Sequence, residues 1–286
     1  VPEVIYLNGK FVAPEEAVVS VNDRGFLFGD AVYEALRSYD GRIWALERHL
    51  RRLQHSLEDI DLIAAEVGEI GNIIQQAHRR SELPNAFIYL QVTRGAAPRA
   101  HAYTRDLVPT VLVTVRDITP MLAEMNLEGE SAITAPDVRW RRCDLKSTNL
   151  LPNILAHTRA VEQGAHEALL VDEQGCITET ATTSVFGVKA GALFTTPLST
   201  QILPSITREF VIEIAHDLGI LVREERVPLE RWREADEAFL TSTSHEVWPL
   251  VRLDGRPIAD GRAGPITRRL QAGFCARVAA GDDAPR

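Results

Sequence analysis

The spacing of apolar positions changes along the chain and sorts it into elements. Val4 to Leu7 and Lys10 to Ala13 are short apolar runs either side of Asn8-Gly9, and both central positions of a type I′ turn need positive φ. They predict a hairpin with Lys10 at its mouth, in water. Asp30 to Tyr39 reads as a short helix ended by Asp40-Gly41, with a strand at Ile43 to Leu46. Leu50, Leu53, Leu57 and Ile60 recur every three or four residues and predict an amphipathic helix over Glu47 to Ile60; a second runs from Glu66 to Arg80. The β-branched stretches Ala86 to Thr93 and Thr110 to Val115 predict two strands joined by a loop of small and polar residues, Arg94 to Thr104.

Thr119 to Gly129, polar and acidic with Pro120, is the best place for an interdomain linker. The expected division is a small α/β domain over 1–120, a linker over 121–129 and a second domain over 130–286. The second part is richer in strands: Glu167 to Val171, Ser184 to Val188, Ala192 to Thr195, Ile220 to Glu225, Glu237 to Thr241 and Val247 to Leu253. Helices are expected at Leu150 to Gln163, Ile206 to Leu218 and Pro265 to Arg277. Turns at Gln174-Gly175, Ala190-Gly191 and Asp254-Gly255 suggest a mostly antiparallel meander rather than βαβ crossovers. The fold class is therefore α+β with two domains.

Composition narrows the function by exclusion. A net charge of -9 speaks against nucleic acid, whose binding needs a basic face. No run of about 18 apolar residues is present to cross a membrane. The first residues lack a secretory pattern, and three scattered cysteines, expected as inert buried thiols, suggest a reducing, cytoplasmic setting. Glycines two apart, a phosphate loop, G-x-S-x-G, H-E-x-x-H and C-x-x-C are all missing, so common nucleotide folds, a serine elbow and a metal site have no signature.

Among 31 Lys+Arg, only Lys10, Lys146 and Lys189 are lysines, so chemistry that needs an amine has three side-chain candidates. Lys10 and Lys189 fall at hairpin turns. Lys146 lies between a basic segment and an apolar helix, where Arg139, Arg141 and Arg142 could lower its pKa. The same residues equally allow a surface lysine paired with Asp144, the commoner situation.

The run Arg141-Arg-Cys-Asp-Leu-Lys-Ser-Thr-Asn-Leu-Leu151 resembles the cofactor-lysine segment of fold-type IV, pyridoxal phosphate-dependent aminotransferases. Three further blocks match in order: Asp23-Arg-Gly-Phe-Leu-Phe-Gly-Asp-Ala-Val-Tyr-Glu34, Gln91-Val-Thr-Arg-Gly-Ala-Ala-Pro-Arg-Ala-His101, and Ile177-Thr-Glu-Thr180 onward to Phe186 with Leu203 to Arg208. The similarity covers nearly the whole chain. Within the family, the Arg-x-His loop is most similar to that of the D-amino acid transaminases.

The resemblance implies a smaller N-terminal α/β domain, a larger strand-rich C-terminal domain and pyridoxal 5′-phosphate at their interface. Lys146 would form the aldimine with the cofactor and then carry the proton between Cα and C4′. Glu179 would face the pyridine nitrogen and keep it protonated. Arg52, Ile206, Thr207 and Thr243 would hold the phosphate, a helix start being a natural anion site. Leu203 would line the cofactor face and Arg139 lie near the ring oxygen. Arg99 and His101, with Tyr33, would grip the substrate α-carboxylate. In the family that loop reaches the neighbouring subunit, which implies a homodimer.

Taken without the resemblance, Glu179 reads as a turn or capping residue, Arg52 as part of a solvated face, and Arg99 and His101 as solvated loop residues. Two departures stand out: Thr180-Ala-Thr-Thr-Ser184 replaces a run of small residues with Asn, and Ser205 replaces a glycine before Ile-Thr-Arg. Trp248 and His245 are candidates for reshaping the substrate pocket. The implied activity is transfer of the amino group of D-amino acids such as D-alanine to 2-oxoglutarate by a ping-pong cycle. A branched-chain L-aminotransferase, an (R)-amine transaminase, an aminodeoxychorismate lyase and a cofactor-less binding protein are the alternatives.

Overall fold

The computed structural model describes residues 4–62, 65–123 and 128–284. The chain divides into two compact units: one comprises Val1–Ala123, Leu145–Asn149 and Asp283–Pro285, the other Glu124–Asp144, Leu150–Asp282 and Arg286. Within the stretch expected as a linker, Thr119–Ala123 is helical, while residues 124–127 lie outside the described residues.

The first unit contains β1 (Val4–Leu7), β2 (Lys10–Val12), α1 (Arg24–Phe28), β3 (Ala31–Tyr39), β4 (Arg42–Ile43), α2 (Leu46–Asp59), α3 (Val67–Ser81), β5 (Ala86–Thr93), β6 (Thr110–Asp117) and α4 (Thr119–Ala123). Its strands form one antiparallel sheet ordered β2-β1-β6-β5-β3-β4. Leu53 and Leu57 of α2 and Ile70 and Ile74 of α3 join Val32, Leu36, Ile88 and Leu90 of the sheet in one core.

Residues 31–39 correct the expected helix. Val32 and Leu36 lie four apart and much of the segment favours helix, yet Ala31 to Arg37 pair in register with Thr93 to Phe87 of β5. Val32, Glu34, Leu36 and Ser38 are all buried on one face, the period of a strand. A carboxylate in that row disguised the alternation. Strand pairing and burial override local propensity here. The strand expected at Ile43 to Leu46 is likewise shortened to β4, because α2 already begins at Leu46.

The second unit contains β7 (Glu130–Pro136), α5 (Leu151–Glu162), β8 (Glu167–Val171), β9 (Ile177–Thr180), β10 (Ser184–Lys189), β11 (Ala192–Thr195), α6 (Ile206–Asp217), β12 (Val222–Glu224), α7 (Leu229–Arg233), β13 (Glu237–Ser242), β14 (Glu246–Leu253), β15 (Arg256–Pro257) and α8 (Pro265–Ala280). The main strand order is β12-β11-β10-β13-β14-β7-β8-β9, with β15 on β14. The antiparallel meander holds only for part of the sheet. β7 pairs in parallel with both β14 and β8, and β11 with β12, so α5 and α6 are the helices of crossover connections.

Phe186 and Phe239 stack at 5.0 Å, and Phe194 packs edge-on against Trp232. Trp248 is 1% exposed and belongs to this core, with the His245 ring stacked on it at 4.5 Å. The thiols also differ from expectation: Cys143 and Cys176 are half-buried and Cys275 is exposed.

Candidate functional site

In the first unit, β3 positions the lysine. The amide of Tyr33 donates to the Lys146 carbonyl at 2.8 Å, and the Thr148 amide donates to the Ala31 carbonyl at 3.1 Å. The lysine segment thus runs alongside β3 as a short strand-like piece. Gly29, at φ +68, makes this approach possible, since a Cβ there would stand 2.5 Å from Asn149 Oδ1. The Lys146 side chain is half-buried, its Nζ 4.3 Å from the centre of the Tyr33 ring. Asp144, the partner allowed by the sequence, is instead paired with Arg142 at 3.1 Å.

Arg52 is buried rather than part of a solvated face. Its Nε and Nη2 donate to the two oxygens of Glu34 at 2.7 Å each. His49 Nδ1 meets the same carboxylate at 2.8 Å. Burial pushes the Glu34 carboxyl up, but the Arg52 charge and hydrogen bond, with the hydrogen bond from His49, outweigh it and hold the group far below the carboxylate range. Burial lowers His49, so its ring is neutral and donates through Nδ1. The Tyr33 ring lies 5.6 Å from that of Tyr89, whose hydroxyl is pushed up to about 12 by burial and by Tyr33.

Arg99 and His101 sit in the exposed loop after β5, both beside one aromatic ring. The Arg99 guanidinium carbon is 5.2 Å from the centre of Phe28, and the His101 ring centre is 5.8 Å from it.

In the second unit, Glu179 is a strand residue of β9, 8% exposed, rather than a turn residue. One carboxylate oxygen is bound by Arg139 Nη1, and the other accepts from the Leu203 amide at 3.2 Å. Arg139 is fixed in turn by Asp137, to which Nε and Nη2 donate at 2.9 and 2.7 Å, and by the Gln201 carbonyl at 3.0 Å. Thr178 closes the network, donating to Asp137 at 2.6 Å. Burial raises the Glu179 carboxyl above its ordinary value despite Arg139. Burial would raise Asp137 too, but the hydrogen bonds and charge of Arg139 hold it low. The neighbouring Cys143 thiol is pushed up to about 12, chiefly by burial, so it stays protonated and unreactive.

Ile206 and Thr207 open α6, leaving their amides without intrahelical acceptors. The replacement of glycine by Ser205 is explained here. Ser205 is the N-cap at φ −72, where no positive φ is needed, and its hydroxyl accepts from the Arg208 amide at 3.3 Å. Thr243 stands half-buried in the turn between β13 and β14.

The structure therefore brings Lys146 to Tyr33 in one unit and Glu179 to Arg139 and Leu203 in the other. Sequence reading missed Glu34, His49 and Asp137. Asp137, two residues before Arg139, carried the only local signal. Pyridoxal phosphate needs an amine for its aldehyde, a carboxylate for its ring nitrogen and donors for its phosphate. The half-buried Lys146 amine, the buried Glu179 carboxylate and the open start of α6 have that chemistry.

Comparison with known proteins gives the family of the chain. The profile of the amino-transferase class IV family matches residues 31–253. D-alanine aminotransferase of Staphylococcus epidermidis is 39% identical over 273 residues, covering 94% of this chain and 96% of that protein. The Bacillus licheniformis D-alanine aminotransferase is 37% identical, covering 93% and 94%. Among solved structures, the branched-chain amino acid aminotransferase of Escherichia coli superposes with TM-score 0.89 at 28% identity, covering 96% of this chain and 94% of that one. That of Thermobaculum terrenum, solved in its PLP form, gives 0.86 at 28%, covering 98% and 95%. The chain belongs to the class IV aminotransferases, and its fold is that of fold-type IV. It is a pyridoxal phosphate-dependent aminotransferase.

Proposed function

We propose that this enzyme transfers the amino group of D-amino acids such as D-alanine to 2-oxoglutarate, by a ping-pong cycle, as a cytoplasmic homodimer. The observation that carries the substrate choice is the pair Arg99 and His101, held together against Phe28 in an exposed loop. The names of the relatives at 37–39% identity support the same choice.

Bound pyridoxal phosphate supplies the electron sink that makes a substrate Cα–H acidic. Lys146, its Nζ beside the Tyr33 ring, would move the proton at the substrate Cα. Glu179 would keep the pyridine nitrogen protonated, and Arg139 and the Leu203 amide fix its carboxylate in place. Ile206, Thr207 and Thr243 would hold the phosphate from the start of α6 and the turn after β13, and Arg52, a further phosphate candidate, is oriented by Glu34. Arg99, His101 and Tyr33 bind the α-carboxylate.

The dimer is supported by α5, where Leu151, Ile154, Leu155 and Val161 stand more than half exposed. A second copy is the covering such a row of apolar side chains calls for. The cytoplasmic assignment rests on three free cysteines and the lack, among the described residues, of a helix able to cross a membrane.

Branched-chain L-aminotransferase is the second reading, favoured by the structural neighbours. A half-reaction assay separates them: the cofactor-loaded enzyme is offered D-alanine, L-leucine and (R)-1-phenylethylamine one at a time, and the cofactor spectrum is followed. Reaction with D-alanine is expected, and reaction with L-leucine alone would defeat the D-specific reading. Lys146→Ala is expected to abolish both the spectral change and turnover.

A further inference from the structure

The loop that carries Arg99 and His101 is anchored from beneath by a buried charge network in which no role follows from the chemistry above. Arg24, 5% exposed at the start of α1, donates from Nη1 to the Ala100 carbonyl at 2.7 Å and from Nη2 to the His101 carbonyl at 3.1 Å. Its Nε is held by Asp30 at 2.8 Å, so one planar guanidinium joins a carboxylate to two successive peptide carbonyls of the loop. Asp30 is itself fixed by Arg94 Nε at 2.9 Å, and the other nitrogens of Arg94 donate to the carbonyls of Ile60 and Asp61. The far end of the loop is tied by Tyr103, whose ring lies 3.7 Å from the Arg94 guanidinium carbon. The backbone under the substrate pair is therefore fixed, while the Arg99 side chain is exposed and makes no ion pair among the described residues.

We propose that Arg24 is a positioning residue for substrate recognition: by clamping the carbonyls of Ala100 and His101, it sets where Arg99 and His101 meet the substrate carboxylate. The inference rests on the proposed role of that pair. Phe28, on the same helix, is a second contact: the Arg24 guanidinium carbon lies 4.9 Å from its ring centre, and the Arg99 guanidinium carbon and the His101 ring centre lie 5.2 and 5.8 Å from it, so α1 meets both the backbone and the side chains of the loop. A lysine at 24 could neutralise Asp30 yet, with a single nitrogen, could not serve Asp30 and two carbonyls in one plane.

The test uses the cofactor-loaded enzyme and its Arg24→Met, Arg24→Lys and Arg99→Ala variants. For Arg24→Met the KM for D-alanine is expected to rise about tenfold or more with kcat changed much less, because the loss is in ground-state and transition-state binding alike. Arg24→Lys should fall between wild type and Arg24→Met, and it carries the test alone if the methionine variant does not fold. Limited trypsin digestion gives a readout independent of catalysis: cleavage after Arg99 should be slow in the wild type and faster in both Arg24 variants.

An unchanged cleavage rate after Arg99, or a loss confined to kcat with KM unchanged, would overturn the proposal. If Arg99→Ala raises the KM for D-alanine and the Arg24 variants do not, Arg24 has no part in recognition although the carboxylate role of the loop stands. If Arg99→Ala leaves that KM unaltered, the carboxylate role fails and the proposal falls with it.

Discussion

Replacing Arg139 by methionine removes the cation shared by Glu179 and Asp137 while keeping an unbranched side chain of similar length. The guanidinium is 4% exposed and the two carboxylates 11% and 10%, so water cannot take its place. Removing one partner of a buried ion pair typically costs about 3–5 kcal/mol, and two carboxylates depend on this arginine, so the upper half of that range is expected. The cost depends on pH in a definite direction. Glu179 is already raised above its ordinary value of 4.5, so the stability it contributes is present below that pH and fades as pH climbs through its folded value. Asp137 is held below 3.8, so its contribution is present above that pH, and Arg139 is its chief source. Without Arg139 burial is opposed only by the Leu203 amide at Glu179 and the Thr178 hydroxyl at Asp137, and both carboxyls shift toward their protonated forms. The deficit should be widest at neutral pH and shrink as pH falls toward the carboxylate range. Urea denaturation of the cofactor-free protein reads it through the fluorescence of Trp232 and Trp248, both 1% exposed in the second unit. Adding Glu179→Gln to Arg139→Met should restore about 1–3 kcal/mol, the usual size of coupling within one network. A deficit under about 1 kcal/mol at neutral pH, the size of an ordinary substitution, or one independent of pH, would refute the reasoning.

Ser205→Ala should destabilise the second unit by about 1 kcal/mol and Ser205→Gly by only a few tenths, since the N-cap bond to the Arg208 amide is lost in both but glycine tolerates the cap backbone. Equal losses in urea denaturation would contradict the capping role. Gly95→Ala should lower the thermal midpoint of the first unit: Gly95 has φ +92, and a Cβ would lie 2.0 Å from the Val108 carbonyl oxygen, backbone that cannot move aside. A cost of about 2 kcal/mol is expected, and an unchanged midpoint would count against it. The stability contributed by Glu34 and Asp30, both depressed by arginines, is present above their ordinary values of 4.5 and 3.8 and lost as pH falls through the folded ones. Glu34→Gln should therefore flatten acid unfolding of the first unit followed by the buried Trp44, and an unaltered profile would show that the pair with Arg52 contributes nothing.

What the sequence disclosed depends on whether a residue's surroundings lie near it in the chain. Lys10 and Lys189 stand beside the turns Asn8-Gly9 and Ala190-Gly191, and their hairpins were legible because a positive-φ turn is a local signal. The amphipathic helices α2 and α3 were legible for the same reason: their period is written within one segment. β3 was not, because its buried row contains Glu34, tolerable there only through Arg52 and His49 in the next helix. β7 was missed and the sheet misread as a meander, since parallel pairing is settled by strands far apart in sequence.

The site follows the same rule. Lys146 drew notice through the scarcity of lysine, but Glu179 by itself looked like a turn residue, because its burial relies on an arginine forty positions earlier, bound in turn by Asp137. Buried charges of this kind are costly unless paired, so each one implies a partner, and local periodicity does not name it. In this chain the buried arginines are the more informative residues: Arg24, Arg94 and Arg139 each join a carboxylate to a backbone carbonyl, and Arg52 grips both oxygens of Glu34. An arginine-rich, lysine-poor composition suits that use, because a guanidinium can satisfy several acceptors at once and keeps its charge when buried.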